Sequence, residues 1–340
     1  MQKKRNQKID IVRGLSFIFV FFYHSDLGMM PAGFLGVDAF FVVSGFLICS
    51  KLMTSRKFEF IDLLEFMAGR IKRLVVPLSY VVFSTALLSV WLFDQVTVYT
   101  TSKMAFSSIF FFSNAIAFSE GGYFGNSGDN LLLHTWSLSV EIQFYLCLAL
   151  TFWLIGFLKR ENNLKPLIVV SWLILAASLT CVFVVNSIQT NLSFYAPLTR
   201  YWEFLFGAIV CLTNFRIKKE YIPTNKGRTV HYCFLFALIV VFLHQGPQNH
   251  VGYLNIVVSL IVSAILLNPS DLSTSWLKPI SSIGRCSYSL YLVHFPIYLF
   301  VSTSFPHNNL YIKLFASIAL TAFFGTFLFK FIEKGRVAHA

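Results

Sequence analysis

The chain has 340 residues, 56% of them apolar and only 12% charged, with a mean hydropathy of +0.68. Soluble domains carry about 25% charged residues, and a globule with 39 Phe and half that charge would not cover its surface. A soluble enzyme, a disordered chain and a coiled coil are excluded, and the composition is that of an integral membrane protein. The net charge of +12 would suggest nucleic acid only if it formed a contiguous basic face. Lys and Arg fall instead between apolar runs, where membrane proteins keep their cytoplasmic cations, so no nucleic-acid partner is expected.

Apolar runs of spanning length begin near Ile9, Phe34, Leu74, Leu131, Pro166, Asn191, Val230, Val251, Ile280 and Leu310, each ending in turn or charge signals. The N-terminal MQKKRNQK is basic, but no small-residue cleavage site follows, so an uncleaved first helix is expected. The stretch Met104–Phe118 is too short to span comfortably. If it does not span, and the N-terminus is inside, only Lys103, Arg200 and Lys313 of the 27 Lys and Arg lie on the outer side. The pattern predicts a single all-α domain over 1–340. It has about ten transmembrane helices, both termini cytoplasmic, and an outer re-entrant or surface segment at 103–130. The six cysteines (Cys49, Cys147, Cys181, Cys211, Cys233, Cys286) form no C-x-x-C pair and read as small buried hydrophobes.

Charged groups inside spans are costly and are functional candidates. The first helix carries Asp10, Arg13 and His24. Arg13 and His24 are about three turns apart, roughly 16 Å, so a cation at the inner rim and a histidine at or beyond mid-membrane can face one channel. Either could also be a packing or snorkelling residue. The second run holds Asp38 near its outer end, then Ser44 and Gly45, which also suit close helix packing. Arg70 and Arg73, spaced i, i+3, share a face at an inner helix mouth. Two guanidiniums there suit a phosphorylated ligand, with positive-inside anchoring as the plainer alternative.

The segment HTWSLSVEIQFY is the richest. His134, Ser137 and Glu141 form an i, i+3, i+7 stripe, with Glu141 about 10 Å deeper than His134. A carboxylate in hydrocarbon needs a partner or a proton, and an interhelical clamp is the alternative to a functional role. Arg200 and Glu203 are spaced as an i, i+3 ion pair. No H-E-x-x-H, P-loop, G-x-S-x-G elbow or dinucleotide fingerprint is present, and no metal site is expected. The glycines of 121–128 read as a loop.

Taken together, these segments resemble the acyltransferase 3 family of membrane proteins along nearly the whole chain. The matching pieces are the R-x10-H signature from Arg13 to His24 and FLGVDAFFVVSGFLI at 34–48, followed by GRIKRLVVP at 69–77. HTWSLSVEIQFYL at 134–146, LTRYWEFLFGAIV at 198–210, IGRCSYSLYLVHFPI at 283–297 and FIEK at 331–334 complete the set. One departure stands out. The family often has two adjacent acidic residues after W-S-L-S, and here the second position is Ile142. The chain stops at Ala340 without an SGNH-hydrolase-type domain, so it is expected to acylate its acceptor directly or to hand over to a separate protein.

The resemblance implies transfer of an acyl group, usually acetyl, from cytoplasmic acyl-coenzyme A to a hydroxyl of a cell-surface or lipid-linked glycan such as a polysaccharide or lipopolysaccharide. Acetyl-coenzyme A is then a donor substrate rather than a resident cofactor, and the plasma (inner) membrane is the place of a multi-pass protein. Arg13, Arg70 and Arg73 would hold the donor phosphates. His24 would be general base or carry the acyl group itself. Glu141 or Asp38 would orient the imidazole or bind acceptor hydroxyls. His134, Trp136 and Ser137 complete the acceptor side, and Trp136 and Tyr145 could stack on sugar rings. His294 lacks an arginine three turns below it and is set aside. The rival reading is a transporter or flippase for an anionic or glycan substrate, using the same charges as a pathway.

Overall fold

The computed structural model describes residues 6–25, 28, 30–53, 59–121, 130–158, 165–188, 190–217, 225–244, 252–268, 272, 274–307 and 309–334. The basic residues 1–5 and the glycine-rich stretch 122–129 lie outside them. Among the described residues the chain is helical, with no strand. Five helical segments are long and apolar enough to cross a membrane: Gly33–Leu52, Phe60–Leu92, Leu133–Leu154, Pro166–Ile188 and Leu310–Glu333. Two shorter apolar helices cover Gly227–Leu243 and Tyr253–Leu267. This is a helical membrane protein.

Helix α1 (Gln7–Tyr23) is apolar all round and buried on most of its surface, as befits a central helix. Its buried cation Lys8 is 3% exposed and donates to the Leu266 and Asn268 carbonyls at 3.2 and 2.7 Å. Those carbonyls terminate α11 (Tyr253–Leu267), so the ammonium satisfies the orphan acceptors of a helix C-terminus. Helix α2 (Gly36–Leu52) lies against α9 (Tyr201–Ile217) with the two backbones in near contact. A Cβ on Gly45 would sit 1.9 Å from the Phe204 carbonyl oxygen, and one on Gly207 would sit 1.9 Å from that of Val42. Gly45 does serve close packing, whereas Ser44 turns to the Glu141 carboxylate.

Helix α3 (Phe60–Leu92) begins at Phe60 rather than near Leu74. The apolar pattern starts late because the first turns carry Asp62, Glu65 and Arg70, while a Glu59–Asp62 capping box starts the helix earlier. At 33 residues it is about 50 Å long and outreaches a hydrocarbon core of about 30 Å. Arg70 and Arg73 therefore ride on a preformed helix. The segment expected not to span is split into α4 (Gln95–Ile109), capped by Asp94, and α5 (Ser113–Ser119). The break falls at Phe110–Phe112, where Phe111 has φ 57°.

The remaining elements are α6 (Trp136–Leu158), α7 (Lys165–Ile188), α8 (Thr190–Tyr195), α10 (Asn225–Leu243), α12 (Lys278–Arg285), α13 (Ser287–Ser304) and α14 (Leu310–Leu328). A π-helical turn over Phe329–Glu333 follows. The run beginning near Asn191 is thus broken between α8 and α9, where Pro197 opens a short 3-10 turn. The run beginning near Ile280 is broken at Cys286 into α12 and α13. All six cysteines are free.

Candidate functional site

Five helices enclose a cavity of about 770 Å³ lined by Arg13, Ser44, Arg70, Arg73, Ser137, Glu141, Tyr145, Ser287, Tyr288 and Tyr291, with apolar side chains between them. The three arginines singled out from α1 and α3 thus share one chamber. Each is only partly committed. Arg13 Nε donates to Ser287 Oγ at 3.1 Å. Arg73 lies 3.9 Å from the Glu333 carboxylate, which also accepts from Ser289 Oγ at 2.6 Å. Arg70 stacks over the Phe66 ring at 5.6 Å, and its Nε is buried with no hydrogen-bond partner among the described residues.

Glu141 lies among these cations. Its Oε1 accepts from Ser44 Oγ at 2.5 Å and from the Tyr145 hydroxyl one turn on. The carboxylate is thus held by two hydroxyls, and its bonds run to α2 and its own helix. The Tyr145 hydroxyl is engaged by this bond, and its side chain lines the chamber.

A second, smaller cavity of about 330 Å³ is lined by Tyr23, His24, Phe34, Val37, Trp136, Phe194 and Tyr291. Val37 and Tyr291 line both spaces, so the arginine chamber and the histidine chamber adjoin across one valine and one tyrosine. The Tyr291 hydroxyl donates to the His134 carbonyl at 3.0 Å and lies 2.9 Å from Ser137 Oγ. Ser137 therefore sits at the junction. His134 is fully buried, with its Nε2 3.1 Å from the Leu292 carbonyl oxygen, and its Nδ1 has no partner among the described residues. That carbonyl makes Nε2 the protonated nitrogen and leaves Nδ1 as an acceptor.

The α13 stripe was missed from sequence. Ser287, Tyr291 and His294 follow at i, i+4 and i+7 on α13, and all three face the two chambers or their walls. His294, set aside for want of an arginine below it, places its Nε2 3.3 Å from Nδ1 of His24. The rings of His24, His134 and His294 cluster with Tyr291 and Phe295. Among the described residues no group of three or more His, Cys, Asp or Glu is arranged to hold a metal. Glu333, in the quoted FIEK segment but given no role, is the other late arrival.

Asp38 is placed away from the lining of both chambers. It is fully buried, its Oδ1 accepting from Asn255 Nδ2 at 2.7 Å and lying 3.2 Å from the Arg200 guanidinium. Arg200 also meets Glu203 at 3.2 Å, the i, i+3 pair read from sequence. Its guanidinium stands over the rings of Phe41, Trp136 and Phe194 at 5.3–5.7 Å. Trp136 therefore has a double role, lining the His24 chamber while packing on a buried cation. A desolvated cation flanked by two carboxylates and three aromatic faces fixes α2, α9 and α11 to one another.

The acyltransferase domain family model matches residues 6–332. O-acetyltransferase OatA of Staphylococcus aureus (strain NCTC 8325 / PS 47) is 32% identical over 96% of this chain and 56% of its own length. Peptidoglycan O-acetyltransferase OatA of Listeria monocytogenes (serovar 1/2a, strain EGD-e) is 29% identical over 97% of this chain and 56% of its own. The chain spans little more than half the length of these relatives. No solved structure matches it. Domain match and arginine-to-histidine architecture agree, and the chain belongs to the acyltransferase 3 family of membrane proteins.

Proposed function

We propose that this chain moves an acetyl group from acetyl-coenzyme A to a hydroxyl of a cell-envelope glycan, with peptidoglycan favoured by the names of its relatives. The observation that carries the reading is the pair of adjoining chambers. Three guanidiniums line one, His24 lines the other, and among the described residues Val37 and Tyr291 are common to both. Coenzyme A is a polyanion with its thioester at the end of a long arm. Phosphates held by Arg13, Arg70 and Arg73 leave that arm about 16 Å to cover before it meets His24.

In the transfer, the acceptor oxygen bonds to the acyl carbon while His24 takes the hydroxyl proton. The carbon–sulfur bond breaks, and the proton passes to the leaving thiolate to give free coenzyme A and the glycan ester. In the covalent variant the acyl group rests on His24 first. The arginine chamber opens toward the cytoplasm in this reading, within a multi-pass plasma-membrane protein whose termini are both inside.

The test is purified protein in nanodiscs with labelled acetyl-coenzyme A and a muropeptide acceptor, following thiol release and label on the glycan. His24→Ala should bind coenzyme A as the wild type does and lose transfer by at least about 10²-fold, the usual scale of a lost general base. Near wild-type transfer by His24→Ala would overturn the mechanism. Label trapped on His24 marks the covalent route, and its absence marks direct attack.

A further inference from the structure

The reading above needs a histidine with a lone pair on a chosen ring nitrogen, and a neutral imidazole has two tautomers. Only one nitrogen carries the proton, and which one is decided by what the other ring groups accept or donate. The contacts around His294 first fix its own tautomer. Its Nδ1 lies 2.7 Å from the Tyr291 carbonyl oxygen, in the same turn of α13. A carbonyl only accepts, so Nδ1 of His294 must carry a proton. A neutral ring protonated there has its lone pair on Nε2.

That lone pair points at His24. The His294 Nε2 to His24 Nδ1 separation is 3.3 Å, and a hydrogen bond across it requires His24 to donate from Nδ1. His294 is fully buried. Among the described residues its ring neighbours are Phe17, Phe21, Tyr291, Phe295, His24 and His134, none of them a carboxylate. A doubly protonated, charged His294 in that shell would be a desolvated cation without a counter-ion, which costs several kcal/mol. The neutral chain of donation therefore runs from His24 Nδ1–H to His294 Nε2, and from His294 Nδ1–H to the Tyr291 carbonyl.

We propose that His294 is a positioning residue that fixes His24 in the Nδ1–H tautomer, so that His24 presents the Nε2 lone pair to the acceptor hydroxyl or the acyl carbon. The arrangement does with a neutral imidazole what a buried carboxylate does for the histidine of a catalytic triad, where the wrong tautomer costs about 10⁴-fold in kcat. The carbonyl of Tyr291 is the anchor. Because it belongs to the helix backbone, one turn of α13 sets the tautomer of a histidine on α1. The inference rests on His24 as the proposed base or nucleophile, but the tautomer itself can be read without turnover.

The experiment uses full-length protein with nitrogen-15-labelled histidine in nanodiscs, with the His24 resonances assigned by their loss in His24→Gln. In the wild type, His24 should show a protonated Nδ1 and an unprotonated Nε2. His294→Phe, close in volume but without an acceptor, should move His24 to a mixture or to the Nε2–H form. It should lower kcat at least about tenfold and leave the Kd for coenzyme A within twofold. His294→Gln, whose amide oxygen can accept from Nδ1–H, should restore both the spectrum and most of kcat. If His294→Phe does not fold, the wild-type and His294→Gln spectra still decide. A wild-type His24 protonated on Nε2, or an unchanged His24 spectrum in His294→Phe, overturns the proposal, as does a changed spectrum with unchanged kcat. Should the wild type show no acetyl transfer at all, the functional reading fails, and the spectra alone then decide the role of His294.

Discussion

Arg70 and Arg73 stand one turn apart on the same helix mouth, yet their removal should have different consequences. Arg70 has no ion pair among the described residues, and one of its nitrogens is a buried donor without a partner. Arg73 faces Glu333, a carboxylate that is 1% exposed and also accepts from the Ser289 hydroxyl. Arg70→Ala should therefore cost binding of an anionic donor and little else. A charged hydrogen-bonded contact is worth about 1.5–3 kcal/mol, or roughly a 10- to 150-fold rise in Kd for coenzyme A. Arg73→Ala should lose a similar share of affinity and also strand the Glu333 carboxylate. Leaving a buried acceptor uncompensated costs about 1–3 kcal/mol, so this variant should unfold at a lower temperature. Titration calorimetry with coenzyme A and thermal unfolding in the same nanodiscs separate the two effects. A Kd for Arg70→Ala within twofold of wild type would refute the assignment of this chamber to the donor phosphates. An unchanged unfolding temperature for Arg73→Ala would show that Glu333 does not depend on it.

Two further outcomes follow from the same geometry. Glu141→Gln keeps an amide oxygen able to accept from Ser44 and Tyr145, so the protein should reach the membrane and fold, while the loss of charge beside three arginines should lower transfer at least about tenfold. Wild-type transfer by that variant would show the charge to be irrelevant, and failure to fold would mark a purely structural clamp. Gly45→Ala drives a methyl group to 1.9 Å from the Phe204 carbonyl oxygen, where no rotamer change relieves it. Helices α2 and α9 must part, at a cost of about 1–3 kcal/mol for overpacking. Thermal unfolding should register the loss, and a midpoint equal to wild type would contradict the packing described for that seam.

What was legible in the sequence is what depends on a single helix or on contrast with hydrocarbon. Arg13 and His24 could be paired because both lie on α1 and a helical rise converts their spacing to distance. Arg70 and Arg73 share a face for the same reason, as do Arg200 and Glu203. Charged residues stand out within apolar runs, so Glu141 and Asp38 were marked before any contact was known. The chamber assignments were not legible, because they are made between helices far apart in the chain. His294 meets His24 across α1 and α13, Glu333 meets Arg73 across α3 and the last turn, and Ser44 reaches Glu141 from α2 to α6. Asp38 belongs with Arg200 and Asn255 rather than with the acceptor chamber, because α9 and α11 bring those partners to it. Periodicity along one element carries no information about which distant element will face it.

The buried charges divide into two kinds, and the division bears on function. Lys8 is absorbed by the carbonyls at the end of α11, and Arg200 by two carboxylates and three aromatic faces. These cations lie outside the lining of both chambers, and they hold helices together. The chamber cations belong to the lining itself. Arg13 is offered a serine hydroxyl, Arg73 a carboxylate at 3.9 Å, and Arg70 an aromatic face, while Glu141 is engaged by two hydroxyls. Three guanidiniums that face the Glu141 and Glu333 carboxylates still leave net positive charge in a partly buried space, and like charges there repel. On the proposed function, that repulsion falls when the polyanionic donor enters, and the fall contributes to binding. In that reading the chamber offers its positive charge to an anionic ligand, whereas the Arg200 guanidinium lies outside the lining of both chambers.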